Sequence, residues 1–255
     1  MDMSIKKMVE EKIDECSQPM KCSFCGKDYV PTKIQIFGRE KTVYSAACNC
    51  YEERQKQKEK EQREELLRSK YERANIGKRY IDITLDKLEQ MGTENVAAVK
   101  SYIIRFDSES GKSLHLIGEF GNGKTSVGYA ALKELIKKGF NGIYITWTDI
   151  VNRCYYARSF TSKETVDGIL NDLSRFDIIV LDEFVIDTKD DKEVNLATEL
   201  FDRLYRDNKC FILINNPCDI QAMKSVTRLG KLLDRVREQS KRLVFKKGSY
   251  RKGDN

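Results

Sequence analysis

Two stretches of this 255-residue chain carry residues spaced for phosphate chemistry, and a third is spaced for a metal ion. Gly118-Glu119-Phe120-Gly121-Asn122-Gly123-Lys124-Thr125 satisfies every fixed position of G-x-x-x-x-G-K-[ST], with an apolar run before it and a helical run after it. Gly121 and Gly123 let the backbone curl so that its N–H groups face phosphate oxygens, and the following helix adds its positive end. Lys124 is placed to reach the β- and γ-phosphates of ATP, and the Thr125 hydroxyl to ligate Mg²⁺. Gly118, Asn122 and Ser126 complete the expected nucleotide contacts. The second stretch, Asp177-Ile178-Ile179-Val180-Leu181-Asp182-Glu183, sets two carboxylates at the end of an apolar run. Asp182 is expected to hold Mg²⁺ and Glu183 to polarise the attacking water as general base. A third apolar run ends in Asn215-Asn216-Pro217, where either asparagine has the chemistry to orient that water or touch the γ-phosphate.

The metal spacing lies near the N-terminus. Cys22-Ser23-Phe24-Cys25-Gly26 is a C-x₂-C knuckle, and Cys48-Asn49-Cys50 supplies a second pair. Four thiolates suit tetrahedral Zn²⁺ in a closed structural site. An iron–sulfur cluster is the other metal reading, and Cys16 is the alternative fourth ligand because C-x-C is the less usual spacing. The segment between the pairs reads as a β-hairpin with its turn near Gly38-Arg39. So short a segment buries too little apolar surface to fold alone, so metal binding would have to hold it.

These residues need elements to position them. Short apolar runs at 113–118, 142–146, 177–181, 210–214 and 242–245 alternate with helical patterns, among them Lys124–Lys138, Asp149–Arg158, Ser162–Leu173 and Glu193–Asp207. Runs apolar on both faces indicate a parallel sheet covered by helices, an α/β three-layer core. Thr161 with Glu164 has the spacing of a capping box. Residues 51–76, without Gly or Pro and alternating Glu with Lys and Arg, predict a solvated helix. The predicted organisation is a zinc-binding domain over 1–50, a charged helical linker over 51–76 and an ATPase domain over 77–255. After the second strand, Trp147, Arg153, Tyr155, Tyr156, Arg158 and Phe160 interleave rings with guanidinium groups, the pattern of a single-strand nucleic-acid surface. His115, the only histidine, lies mid-strand and reads as a core residue.

From about Ile76 to Arg251 the chain resembles the AAA+ P-loop ATPase domain of DnaC/DnaI-type helicase loaders of bacteria and phages. The resemblance rests on an ordered series: IGKRYIDITLDKL, GEFGNGKT, ITWTDI, ILNDLSRFDIIVLDE, ILINNP, LLDRVRE and SYR. It implies that Asn216 is the sensor of the γ-phosphate and that Arg235 is the arginine finger reaching a neighbouring subunit, with Arg237 its rival. It also implies that Arg251 is the second sensor, within its own subunit. By the same resemblance the partners are a hexameric replicative helicase, single-stranded DNA through Tyr155, Tyr156 and Arg158, and further copies of the chain through the ATPase domains. A C-terminal lid is not expected, and hydrolysis is expected to be slow and dependent on assembly. An IstB-type transposase helper shares the same series, and a zinc adaptor with little turnover is a third possibility; the Cys-rich front favours the loader.

Composition narrows the field. No apolar run approaches the roughly 18 residues of a membrane span, and the charged start is no secretory signal, so a cytoplasmic protein is expected. The net charge of +6 is uneven: residues 219–255 hold 11 Lys or Arg against 4 Asp or Glu. That basic stretch surrounds Arg235 and Arg251, so its first anionic partner is nucleotide, with Lys241, Lys246, Lys247 and Lys252 left for a DNA backbone.

Overall fold

The computed structural model describes residues 20–36, 38–159 and 162–248; Cys16, Phe160, Thr161, Arg251 and Lys252 lie outside them. The chain divides into two compact units, 1–66 and 67–255. In the first, β1 (Val30–Ile36) pairs antiparallel with β2 (Arg39–Ser45), Val30 opposite Ser45 and Ile36 opposite Arg39. Helix α1 (Cys50–Arg73) begins on the last cysteine of the second pair. Glu52 and Glu53 in its first turn and Lys70 and Arg73 in its last complement the helix dipole. Pairs such as Arg68–Glu72, 3.8 Å apart, lace its exposed surface. Of its apolar residues Tyr71 is buried, while Tyr51 and Leu66 are exposed.

The second unit is a three-layer α/β sandwich. Its sheet comprises β3 (Ser113–Gly118), β4 (Gly142–Thr146), β5 (Ile178–Asp182), β6 (Cys210–Asn215) and β7 (Ser240–Phe245). All neighbours are parallel and the spatial order is β4-β5-β6-β3-β7. Every residue of β3, β5 and β6 is buried, the mark of central strands covered on both faces. One face packs against α2 (Leu85–Gln90), α3 (Val96–Ile104) and α4 (Lys124–Lys137), with Val99, Val127, Leu132 and Leu135 fully buried. The other packs against α5 (Trp147–Ala157), α6 (Val166–Ser174), α7 (Asp191–Arg206) and α9 (Gly230–Gln239) around Trp147, Phe184, Phe201 and Phe211. Helix α8 (Pro217–Lys224) follows β6 directly, with proline at its first turn.

Helix α4 approaches the sheet at Gly128, where an added Cβ would stand 2.9 Å from Ile214 Cδ1 and 3.2 Å from Val180 Cγ1. That closeness brings the loop before α4 up to the ends of β5 and β6. Two local expectations shift. Helix α6 starts at Val166, later than the pattern suggested, because Thr165 caps it by accepting the Gly168 N–H at 3.0 Å. Glu164 is drawn away to Arg153, whose Nε lies 3.1 Å from its carboxylate. Among the described residues no helix is long and apolar enough to cross a membrane.

Candidate nucleotide and metal sites

The order of the sheet decides which side chains meet. Strand β6 lies between β3, which leads into the phosphate loop, and β5, which ends in the acid pair. All three strands run the same way, so their C-terminal ends deliver their polar residues to one edge, where open α/β sheets bind ligands.

In the loop, Gly121 and Gly123 have φ of +80° and +92°, left-handed values that a side chain would strain. The Lys124 ammonium is buried within this curl. Its Nζ donates to Gly118 O at 2.6 Å, Glu119 O at 2.7 Å, Asn122 Oδ1 at 3.1 Å and Asn216 Oδ1 at 3.3 Å. Burial draws its pKa below the usual lysine value, opposed by the charges of Asp182, Glu119 and Asp219.

Asp182 is 3% exposed and fully engaged. Its Oδ2 accepts from Thr125 Oγ1 at 2.8 Å and from the Tyr144 hydroxyl, and its Oδ1 accepts from the Glu183 N–H at 2.7 Å. Glu183 follows with φ +50° and an exposed side chain. The two adjacent acids therefore point differently, one into the site wall and one into solvent. A non-glycine residue in the left-handed region at such a point is the kind of backbone strain found at functional sites.

Spacing alone leaves Asn215 and Asn216 open, the resemblance implies Asn216, and the structure sets the two in different surroundings. Asn215 is buried: its Oδ1 pairs with His115 Nε2 at 2.9 Å and its Nδ2 donates to Phe184 O. Asn216 caps α8, its N–H donating to Asp219 Oδ2 at 3.0 Å, and turns its amide oxygen to Lys124. His115 is a core residue as expected, its pKa pushed down to about 4 chiefly by burial.

A cavity of about 230 Å³ adjoins residues 121–126. Its other walls are Arg79, Tyr80, Ile83, Leu88, Met91 and Thr93. Nothing in the spacing of these residues says that their segment folds against the loop that begins at Gly118.

The proposed fingers differ in setting. Arg235 is ion-paired with Asp202 of α7 and its guanidinium lies 5.2 Å over the Tyr205 ring, whereas Arg237 is exposed and pairs with Asp234, at 3.4 Å. On α5, Tyr156 is 77% exposed. Tyr155 is half exposed, with its hydroxyl on Asp190 and the Arg158 guanidinium 5.6 Å from its ring centroid. Trp147 does not belong to that surface: it is buried, donating from Nε1 to Glu193 Oε1 at 2.6 Å.

In the first unit the sulfur atoms of Cys22, Cys25, Cys48 and Cys50 all lie within 4.8 Å of one another. Backbone N–H groups of Cys25 and Phe24 face the Cys22 sulfur and lower its pKa to about 6. The bonds and charges of Cys25 and Cys48 push Cys50 up to about 12. Four sulfurs crowded this closely, with backbone N–H groups that favour a thiolate at Cys22, fit a divalent cation such as Zn²⁺, which displaces thiol protons and offsets the thiolate charges.

A phosphate loop on β3, an acid pair on β5 and a polar strand end between them define a P-loop nucleotide-binding protein. The chain belongs to the family of IstB-like ATP binding proteins, which it matches over residues 52–255. It is 30% identical over 184 residues to the replicative helicase loader DnaC of Buchnera aphidicola subsp. Acyrthosiphon pisum, covering 70% of this chain and 73% of that protein. A crystal structure of the DnaC helicase loader matches 66% of this chain and 99% of its own at a TM-score of 0.56 and 23% identity. A crystal structure of DnaI matches 69% and 94% at a TM-score of 0.56 and 14% identity. The fold is thus the AAA+ α/β sandwich expected from the sequence, with its five-stranded parallel sheet.

Proposed function

We propose that this protein is an ATP-driven loader of a hexameric replicative helicase onto single-stranded DNA. The observation that carries the nucleotide half is the convergence of the Lys124 ammonium, the Thr125 hydroxyl, the Asp182 carboxylate and the Asn216 amide. The relative named a replicative helicase loader supports the other half.

The loop N–H groups and Lys124 bind the triphosphate, and the cavity beside them receives the base and sugar. Thr125 and Asp182 would hold Mg²⁺, which supplies neutralisation of charge on the phosphate oxygens. Glu183 takes the proton of the attacking water, and Asn216 orients that water or reads the γ-phosphate. Arg235 completes a neighbouring subunit's site once it leaves Asp202, with Arg237 the alternative because it is already free of the core. Arg251, outside the described residues, is assigned to nucleotide in its own subunit. An exposed ring on Tyr156, with Tyr155 and Arg158 beside it, suits stacked bases and their phosphates. Residues 1–50 serve as a zinc-binding domain held by Cys22, Cys25, Cys48 and Cys50, joined to the ATPase at 77–255 by the charged segment 51–76, helical as far as Arg73.

The family match favours one rival, a transposase helper of the IstB type. That match starts at residue 52 and leaves the four cysteines outside it, which is why the loader is preferred. Co-purification with a hexameric replicative helicase in ATP and in ADP tests the choice. A complex that forms in ATP is expected; capture of a transposase instead, with no helicase complex in either nucleotide, would favour the rival.

A further inference from the structure

Three tyrosine rings stand in a row behind the acid pair. Tyr80 stacks on Tyr129 with centroids 4.0 Å apart and planes 17° from parallel, and Tyr129 stacks on Tyr144 at 3.8 Å and 14°. Tyr129 and Tyr144 are buried. The first ring lines the cavity beside the phosphate loop. The last donates its hydroxyl to Asp182 Oδ2, the same oxygen that Thr125 Oγ1 engages at 2.8 Å. Topology explains the meeting: Tyr144 faces Val180 across β4 and β5, and Asp182 is two residues on, hence on the same face. The middle ring comes from α4, the helix that the phosphate loop opens. Tyr80 is fixed from behind, since the buried Lys133 ammonium gathers the carbonyls of Tyr80, at 2.8 Å, Ile81 and Ile83.

We propose that Tyr144 is a positioning residue for the metal-binding carboxylate, and that the Tyr80–Tyr129–Tyr144 stack couples occupancy of the cavity to the setting of Asp182. The Glu183 N–H holds Oδ1, while Oδ2 is shared by the Thr125 and Tyr144 hydroxyls, so the Tyr144 donor on β4 adds a second bond that fixes Oδ2 where Thr125 meets it. Outer partners of this kind commonly change metal affinity by about tenfold or more when removed. Because the ring that carries the hydroxyl is sandwiched against Tyr129, a shift of Tyr80 on nucleotide entry moves the donor as well. The inference rests on the nucleotide site proposed above.

The test is a fluorescent ATP analogue titrated into the full chain, with Mg²⁺ varied from EDTA to excess. Tyr144→Phe keeps the ring and removes the donor. It is expected to raise the Mg²⁺ needed for half-maximal tightening by about tenfold, with analogue affinity in EDTA unchanged. Tyr129→Leu is expected to give part of that shift, and the double variant no more than Tyr144→Phe alone. An unchanged or lowered Mg²⁺ requirement in Tyr144→Phe would overturn the proposal while leaving the nucleotide site intact. Absence of Mg²⁺-dependent binding in the unaltered chain would instead overturn the site itself. Circular dichroism of each variant separates a loss of fold from a loss of positioning.

Discussion

Asp182 and Cys22 are both buried ligand candidates, but they are held in place by different means. Asp182 ends a fully buried strand and receives three hydrogen bonds, from Thr125, Tyr144 and Glu183, each on a separate element or turn. A core covering both faces of the sheet fixes all three donors. Around Cys22 the strands β1 and β2 are largely exposed, and among the described residues of 20–50 it is the single buried one. The four thiols meet through a tight knuckle, a hairpin and the start of a helix. The first site is therefore made by the fold, whereas the second has little core behind it and would depend on a cation joining the sulfurs.

That contrast can be broken most sharply at the cysteines. Chelation, or Cys22→Ser, is expected to strip bound zinc and abolish amide protection across residues 20–48, since metal binding in such segments is worth on the order of 10 kcal/mol. Protection across Lys124–Lys137 should stay unchanged. Loss of protection in both regions would show that the ATPase also depends on the metal. Conversely, Lys124→Ala is expected to weaken ATP binding by about a hundredfold or more while zinc content stays constant. Calorimetry with parallel metal analysis reads both.

Smaller effects probe how tightly the core holds the nucleotide site. His115 has its pKa pushed down from 6.5 to about 4 by burial. Between those values the unfolded chain binds a proton that the folded chain refuses, so stability is full above about 6.5 and falls as the pH drops toward 4. The loss should reach about 2–3 kcal/mol, and His115→Gln should flatten the slope in urea melts at stepped pH. Gly128→Val drives side-chain atoms into Ile214 and Val180 and is expected to cost about 2 kcal/mol. The same melts at neutral pH measure it. Least of all, Tyr156→Ala should leave folding untouched and weaken single-stranded DNA binding by about 1–2 kcal/mol; unchanged binding would remove α5 from the DNA surface.

Much of the candidate nucleotide site was legible because its residues are local. Gly121, Gly123, Lys124 and Thr125 are one loop, and Asp182 with Glu183 one strand end, so spacing alone identifies them. The four cysteines were legible for the same reason. What spacing does not carry is the joining of distant segments. Tyr144 looks like any aromatic in a buried strand until the β4–β5 register sets it beside Asp182. Asn215 and Asn216 are equivalent by spacing, and the partners that withdraw the first of them, His115 on β3 and the Phe184 carbonyl, lie far off in sequence. Trp147 shares the segment of the exposed tyrosines, but it starts α5 facing Phe184, a ring 5.1 Å away just beyond β5. Residues 79–93 gave no hint of lining a cavity, since the loop they face is brought to them by α4 packing on the sheet.

Helicase loading followed over many rounds with Glu183→Gln tests the ATP-driven cycle most directly. The variant retains Lys124, Thr125 and Asp182, so it should bind ATP and the helicase, load at most one round onto single-stranded circles and fail to release. Repeated loading by Glu183→Gln at the unaltered rate would contradict a cycle driven by hydrolysis, and would make the ATP site a switch without turnover.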